Sequence, residues 1–236
     1  MEISAMASMM DNPRSGHLEQ LYIMFAFWKV KHNSAVLFDP TVPDIDHQQF
    51  KAEDWISTVY GNCKEEIPSN IPTPRGIGFT MRAFVYSDHA GEVTTRRSRT
   101  GFIIFLKSAP IFWYSKRQGS VETRSFGVEF IALKSCCEYV RGLRFKLRMM
   151  GIPVDLPTYI FGDNQSVLVN STMPQSTLKK KSSSIAFHMV REGTAKDEWR
   201  IAYLNTHSNP SDMLTKSLPG GEKRTSFTSF VLHYTE

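Results

Sequence analysis

Cysteine is scarce: Cys63, Cys136 and Cys137 are the whole complement in 236 residues. Three thiols, two of them adjacent, supply neither a zinc-type spacing nor a disulfide framework, and neighbours on a helix point in different directions. They read as reduced core thiols. Long apolar runs are also missing. The longest near the N-terminus, Tyr22 to Trp28, is far too short to span a bilayer, and Met1 to Met10 lacks the basic start of a secretory signal. A soluble, intracellular protein with no membrane partner is therefore expected. The sequence has no internal repeat and no low-complexity tract, which argues against a solenoid. With 41% hydrophobic and 22% charged residues it is ordinary for a globular chain, so wholesale disorder is excluded. A net charge of +5 suits a polyanionic partner without identifying one.

What is present begins with a helical pattern from Gly16 to His32. Leu21, Met24, Phe25 and Trp28 recur there at three- and four-residue steps, and Asn33 follows as a stop. From Phe38 to Gly78 five prolines break every period, predicting a linker or irregular insertion in which Asp54-Trp55-Ile56 and Val59-Tyr60 pack back onto a domain. Regular patterning then resumes. Strands are predicted at Ala83–Asp88, Gly101–Lys107 and Ile111–Tyr114, with Ser108-Ala109-Pro110 as a turn, giving an antiparallel meander. A long helix covers Ser125 to Met150, its stripe running through Phe126, Phe130, Leu133, Cys137, Val140, Leu147 and Met150 up to Gly151. A strand at Thr158–Gly162, a short helix to about Asn170, a helix at Ser183–Gly193 and a strand at Trp199–Leu204 complete the pattern. The divisions are 1–36, 37–80, 81–220 and a tail at 221–236.

Four acids stand at the ends of these elements. Asp88 ends the first strand, Glu129 lies beside the apolar stripe in the second turn of the long helix, Asp163 joins strand to helix, and Asp212 follows Pro210 where a last helix would begin. Each has an ordinary explanation. Asp163 could be an N-cap, and Glu129 and Asp212 could be acids that suit a helix dipole. Together, however, four carboxylates at one sheet edge are costly unless something cationic sits among them. A pair of Mg²⁺ ions would neutralise them, and two ions roughly 3.5 to 4 Å apart can clamp a phosphodiester for hydrolysis.

At this point the residues resemble a family. The words Tyr86-Ser87-Asp88, Arg96-Arg97-Ser98 with Thr100-Gly101, Trp113-Tyr114-Ser115-Lys116-Arg117-Gln118, Glu129-Phe130-Ile131-Ala132-Leu133, Gly162-Asp163-Asn164-Gln165-Ser166 and Asn209-Pro210-Ser211-Asp212-Met213-Leu214-Thr215-Lys216 occur in order. They are similar to motifs of the ribonuclease H domain of copia-type (Ty1/copia) retrotransposon polyproteins. The resemblance covers about residues 81 to 220. Asn12-Pro13, His17 and the helix through Trp28 resemble the tail of the preceding reverse transcriptase, whose Tyr-x-Asp-Asp motif is absent from this chain.

The resemblance implies an α/β fold, a ribonuclease H-like mixed five-stranded sheet flanked by helices, with an N-terminal helical and irregular extension. It implies a metal-dependent endonuclease that cuts the RNA strand of an RNA/DNA hybrid with two Mg²⁺ ions, Mn²⁺ being the expected substitute. Asp88 would bridge both ions, Asp212 would hold the water-side ion, and Glu129 and Asp163 the leaving-side ion. His207 would stand where some ribonucleases H keep a mobile histidine, the alternative being a surface loop residue. Arg96, Arg97, Lys179, Lys180 and Lys181 would contact phosphates, the alternative being a solvated basic face. Other parts of the polyprotein would be partners, in a cytoplasmic virus-like particle or the nucleus.

The chain also departs from the family. Asp88-His89-Ala90-Gly91 stands where Asp-Ala-Asp-Trp-Ala-Gly is usual, Ser125-Phe126-Gly127-Val128-Glu129-Phe130 where Ser-Thr-Glu-Ala-Glu-Tyr is, and Lys181-Ser182-Ser183-Ser184 where Lys-His-Ile-Asp is. A catalytically inactive relic that keeps the fold and binds nucleic acid is therefore a competing expectation. A third, an integrase-like nuclease, meets Glu129 on the helix after three strands, whereas that class usually takes its glutamate from a later helix.

Overall fold

Strand β2 (Met81–Ser87) is the central strand of the sheet, with Met81, Ala83, Phe84, Val85 and Ser87 buried. In a computed structural model describing residues 2–92, 95–178, 184–218 and 221–234, Met81, Ala83 and Val85 enter one core cluster and Phe84 the opposite one, the two-residue period of a buried strand. Strand β3 (Arg99–Leu106) and strand β4 (Ala109–Arg117) extend the sheet antiparallel on one side of β2, as the expected meander. The turn between them is tighter than Ser108-Ala109-Pro110: β4 already begins at Ala109, and Lys107 takes a left-handed φ of 54°. Pro110 is accommodated because β4 is an edge strand.

On the other side of β2 lie β5 (Thr158–Gly162) and β6 (Trp199–Tyr203), both parallel to it, so the order is β4-β3-β2-β5-β6. The sheet is thus mixed and five-stranded, as expected. The parallel half decides where chemistry can sit, since β2, β5 and β6 all end at the same edge.

Helix α3 (Ser125–Met149) covers one sheet face with Val128, Phe130, Leu133, Cys136, Cys137, Val140 and Leu147. Both adjacent cysteines are free, buried thiols. Gly151, at φ 74°, ends the helix in the left-handed conformation, and Ile152 N–H donates to Leu147 O at 3.0 Å. Met150, expected on the apolar stripe, falls at the C-cap and is exposed. Helices α4 (Gln165–Thr172) and α5 (Ser184–Ala195) pack beside α3. Gly193 of α5 lies so close to the Trp199 ring that a Cβ there would run into it, which lets the fully buried indole donate to Val190 O at 3.1 Å.

The proline-rich stretch has little regular structure but is pinned to the domain. Ile45, Phe50 and Trp55 are buried, and Phe50 meets Tyr159 and Phe161 edge-on. Ile56 and Val59 remain exposed. Glu65 accepts hydrogen bonds from both Arg144 and Arg148 at 2.6–3.0 Å. Burial pushes its carboxyl up, but the two guanidiniums prevail and hold it at about 2.

At the N-terminus α1 (Glu2–Ala7) and α2 (Ser15–Val30) bury no residue. Leu21, Met24 and Trp28 of the expected stripe line a groove facing Ile3 and Met6, while Phe25 stays exposed. No helix among the described residues is long and apolar enough to cross a membrane. The stretch read as a C-terminal tail contains α6 (Glu222–Val231) and β7 (Leu232–Tyr234). Strand β7 pairs antiparallel with β1 (Ser34–Val36), just after the lysine at which α2 closes. Phe227 of α6 is buried and Phe230 packs on Phe84 and Phe105, covering the sheet face opposite α3.

Candidate functional site

Asp88 is the first residue beyond β2. Its N–H donates to Arg99 O at 3.2 Å and its Oδ1 accepts from Arg99 N–H, so the start of β3 holds both the backbone and the carboxylate of Asp88. The short loop that follows turns back under it. Ala90 adopts φ 53°, its N–H donates to Ser98 Oγ at 2.9 Å, and Gly91 approaches Asp88 Oδ2 too closely for any Cβ. Burial raises the Asp88 pKa, partly offset by the Arg99 amide and guanidinium.

Glu129 projects from the second turn of α3 into a narrow cavity lined by Val85, Leu133, Asp163 and Val167. Burial in that apolar setting, then the neighbouring charge of Asp163, pushes its carboxyl up to about 9, with Ser87 pulling the other way.

Asp163 follows β5, but it is not the N-cap of α4. Asn164 holds that place, its Oδ1 accepting from Val167 N–H at 3.1 Å. The cap expectation is therefore corrected by one residue, and Asn fills the role as well as Asp would. Released from capping, Asp163 accepts from Thr206 Oγ1 at 2.6 Å through Oδ2, while its buried Oδ1 has no hydrogen-bond partner among the described residues. Burial raises its pKa and nearby Asp212 adds to the rise.

Asp212 lies in the first turn of a short 3₁₀ helix, Pro210–Leu214, and is fully buried. Asn209 caps that helix with its Oδ1 and ties it to the sheet through Nδ2, which donates to Val85 O at 2.9 Å. Gly101 of β3 leaves room for it, since a Cβ there would come within 2.8 Å of Leu214. Two ammonium groups face the Asp212 carboxylate: Lys216 Nζ is 2.8 Å from Oδ1 and Lys223 Nζ is 2.5 Å from Oδ2.

The acids form a chain of electrostatic neighbours, Asp88 with Glu129, Glu129 with Asp163, and Asp163 with Asp212. The cation that such a cluster requires is Lys216, whose charge is felt at Asp88 and Asp163 and whose Nζ is 3.3 Å from Tyr86 Oη. As the side chains stand, no three Asp, Glu, His or Cys among the described residues converge closely enough to hold one ion. The donors nonetheless suit a hard divalent cation: all are carboxylate oxygens, and the orphaned Asp163 Oδ1 is buried where a ligand is needed. Asp212 fits least, because both of its oxygens face lysines.

His207 is exposed on the 3₁₀ turn Thr206–Ser208, next to the threonine that holds Asp163. Arg96 and Arg97 lie on the β2–β3 loop, Arg96 exposed with φ 54°. Lys179, Lys180 and Lys181 fall outside the described residues. Thr206, Asn209 and Lys223 were not legible as site residues. Lys216 stands four residues after Asp212, a spacing that could have signalled its ion pair, whereas nothing in the sequence links Lys223 to the acids.

No protein-family profile matches the chain. Curated relatives include the retrovirus-related Pol polyprotein from transposon RE1 of Arabidopsis thaliana, 27% identical over 157 residues, which are 66% of this chain and 10% of that protein. The corresponding polyprotein from transposon TNT 1-94 of Nicotiana tabacum is 26% identical over 139 residues, 59% of this chain and again 10% of the relative. The matched region is thus about a tenth of those proteins' length. Among solved structures, LC11-RNase H1 in complex with an RNA/DNA hybrid aligns with a TM-score of 0.46 at 13% identity, covering 58% of this chain and 94% of that one. The chain is a distant homologue of the Pol polyproteins of copia-type retrotransposons.

Proposed function

We propose that the domain over residues 81–220 is a metal-dependent endonuclease that hydrolyses the RNA strand of RNA/DNA hybrids, acting within a copia-type polyprotein of which residues 1–36 are the end of the reverse transcriptase. The observation that supports this reading is the chain of electrostatic neighbours Asp88 with Glu129, Glu129 with Asp163 and Asp163 with Asp212, drawn from four separate stretches, beside the edge where β2, β5 and β6 end. Those residues would hold two Mg²⁺ ions, with Mn²⁺ as a substitute. Bound ions would supply the charge stabilisation and the activated water that phosphodiester hydrolysis requires.

The chain's own contribution is positioning. The Arg99 amide fixes the Asp88 carboxylate, and Thr206 turns Asp163 so that Oδ1 stays available. His207, one residue on and exposed, would take the part of the mobile histidine in proton transfer or product release. A second reading, a relic that binds nucleic acid without cutting it, is favoured by the two lysines on Asp212. Purified protein with end-labelled hybrid, single-stranded RNA and duplex DNA separates the readings. Cleavage confined to the hybrid's RNA strand in Mg²⁺ or Mn²⁺ is expected, and a folded protein that binds hybrid but leaves it intact in both metals is the relic.

The basic residues Arg96, Arg97, Lys179, Lys180 and Lys181 are proposed to contact phosphates. Neutralising Arg96 and Arg97 together should weaken hybrid binding irrespective of sequence and flatten the salt dependence by roughly one unit of slope per lost contact. An unchanged slope in a titration across salt concentrations would make them a solvated face.

A further inference from the structure

We infer that α6 is a latch on the candidate metal site, with Lys223 occupying the side of Asp212 that a divalent ion must take. This rests on the metal-site reading above. The two ammoniums on Asp212 differ in origin. Lys216 is four residues along the same segment and travels with Asp212, whereas Lys223 belongs to a separate helix on the far side of Gly221. Lys223 is the second residue of α6, where the helix dipole opposes a cation, so its position is favoured by the contact with Asp212 and by the Phe227 ring, 5.4 Å from Nζ. Gly221 at the N-cap has φ 140°, a conformation open to glycine and few others, and the Lys223 side chain is one-third exposed, so the ammonium has a path to solvent.

The rest of α6 is held by Phe230, which packs on Phe84 and Phe105, by Val231 in the same cluster, by Arg224 over the Phe27 ring and by its packing on the Pro210–Leu214 helix, and β7 continues into a three-residue pairing with β1. With Lys223 docked, Asp212 is fully buried, its Oδ2 is hydrogen-bonded to the Lys223 ammonium, and its Oδ1 lies 2.8 Å from Lys216 Nζ without a hydrogen bond. Withdrawal of Lys223 frees Oδ2 while Lys216 continues to compensate the carboxylate. Apparent metal affinity is then lowered by the fraction of molecules in which the latch is open.

The test is Mn²⁺ binding to the full chain by titration calorimetry, with amide hydrogen exchange over residues 222–234 as a second readout. Lys223→Gln should bind Mn²⁺ about tenfold or more tighter than the parent. Lys223→Arg should stay near the parent, and Lys107→Gln, at the opposite sheet edge, should show no gain and so exclude a general charge effect. Mn²⁺ should speed exchange across α6 in the parent. An Lys223→Gln affinity equal to or weaker than the parent overturns the latch. If Asp88→Asn and Asp163→Asn weaken Mn²⁺ binding while Lys223→Gln does not tighten it, the latch alone fails. If neither acid affects binding, or no chain binds Mn²⁺, the metal-site reading fails and the latch with it.

Discussion

Asp163→Asn is expected to leave the metal-free protein as stable as the parent while lowering hybrid cleavage by orders of magnitude. The first half follows from Asn164, which caps α4 and leaves Asp163 no part in holding the helix. An asparagine at 163 still offers a carbonyl oxygen to the Thr206 hydroxyl and removes a carboxylate whose pKa burial already raises. Loss of a buried charge of that kind costs the fold little. The second half follows if Oδ1 is a metal ligand, because the substitution takes a negative charge from the ion's first shell. Stabilisation by added Mg²⁺ should shrink in parallel, since ligand-linked stability follows affinity. Thermal melts with and without Mg²⁺, together with cleavage rates on labelled hybrid, read both halves. Parental cleavage by the Asn variant would remove Asp163 from the site and undo the four-acid assignment.

How much of this was legible beforehand differs between elements for physical reasons. β5 was readable to the residue because Thr158–Gly162 is a short apolar run bounded by Pro157 and an acid. α3 was equally plain, since a long stripe at helical period ends on a glycine that only the left-handed conformation explains. The acids were legible as candidates because each stands at the end of a periodic segment. Which of Asp163 and Asn164 caps α4 was not, because both residue types cap well and only the hydrogen bond to Val167 decides. The anchoring of the proline-rich stretch was hidden for a different reason. Glu65 meets Arg144 and Arg148 across some eighty residues of sequence, and no local pattern records a pairing at that separation. Lys223 was invisible on the same ground, standing in a segment whose apolar residues are too few to announce a docked helix.

Glu129 carries a large pH effect between acid and mildly basic solution. With its folded pKa raised to about 9, against an ordinary glutamate value near 4.5, the native state keeps a proton that the unfolded chain has released over the interval between them. Stability linked to this group is therefore full below about pH 4.5, falls as pH rises, and levels off above about pH 9, with a slope of up to about 1.4 kcal/mol per pH unit. Asp88 and Asp163 are shifted in the same direction by burial and add to the early part of the fall. Glu129→Gln keeps the shape and removes the proton, so it should be more stable than the parent near pH 8, about equal near pH 4, and flatter between. Divalent metal reverses the comparison: a carboxylate must lose its proton to ligate, so Mg²⁺ binding to the parent should tighten with pH and release a proton, and the Gln variant should do neither. Denaturant melts across that pH range, with and without Mg²⁺, measure both. Parallel loss of stability in parent and variant would mean that Glu129 ionises like a surface glutamate, and that the acids at the end of β2 and β5 do not crowd one another.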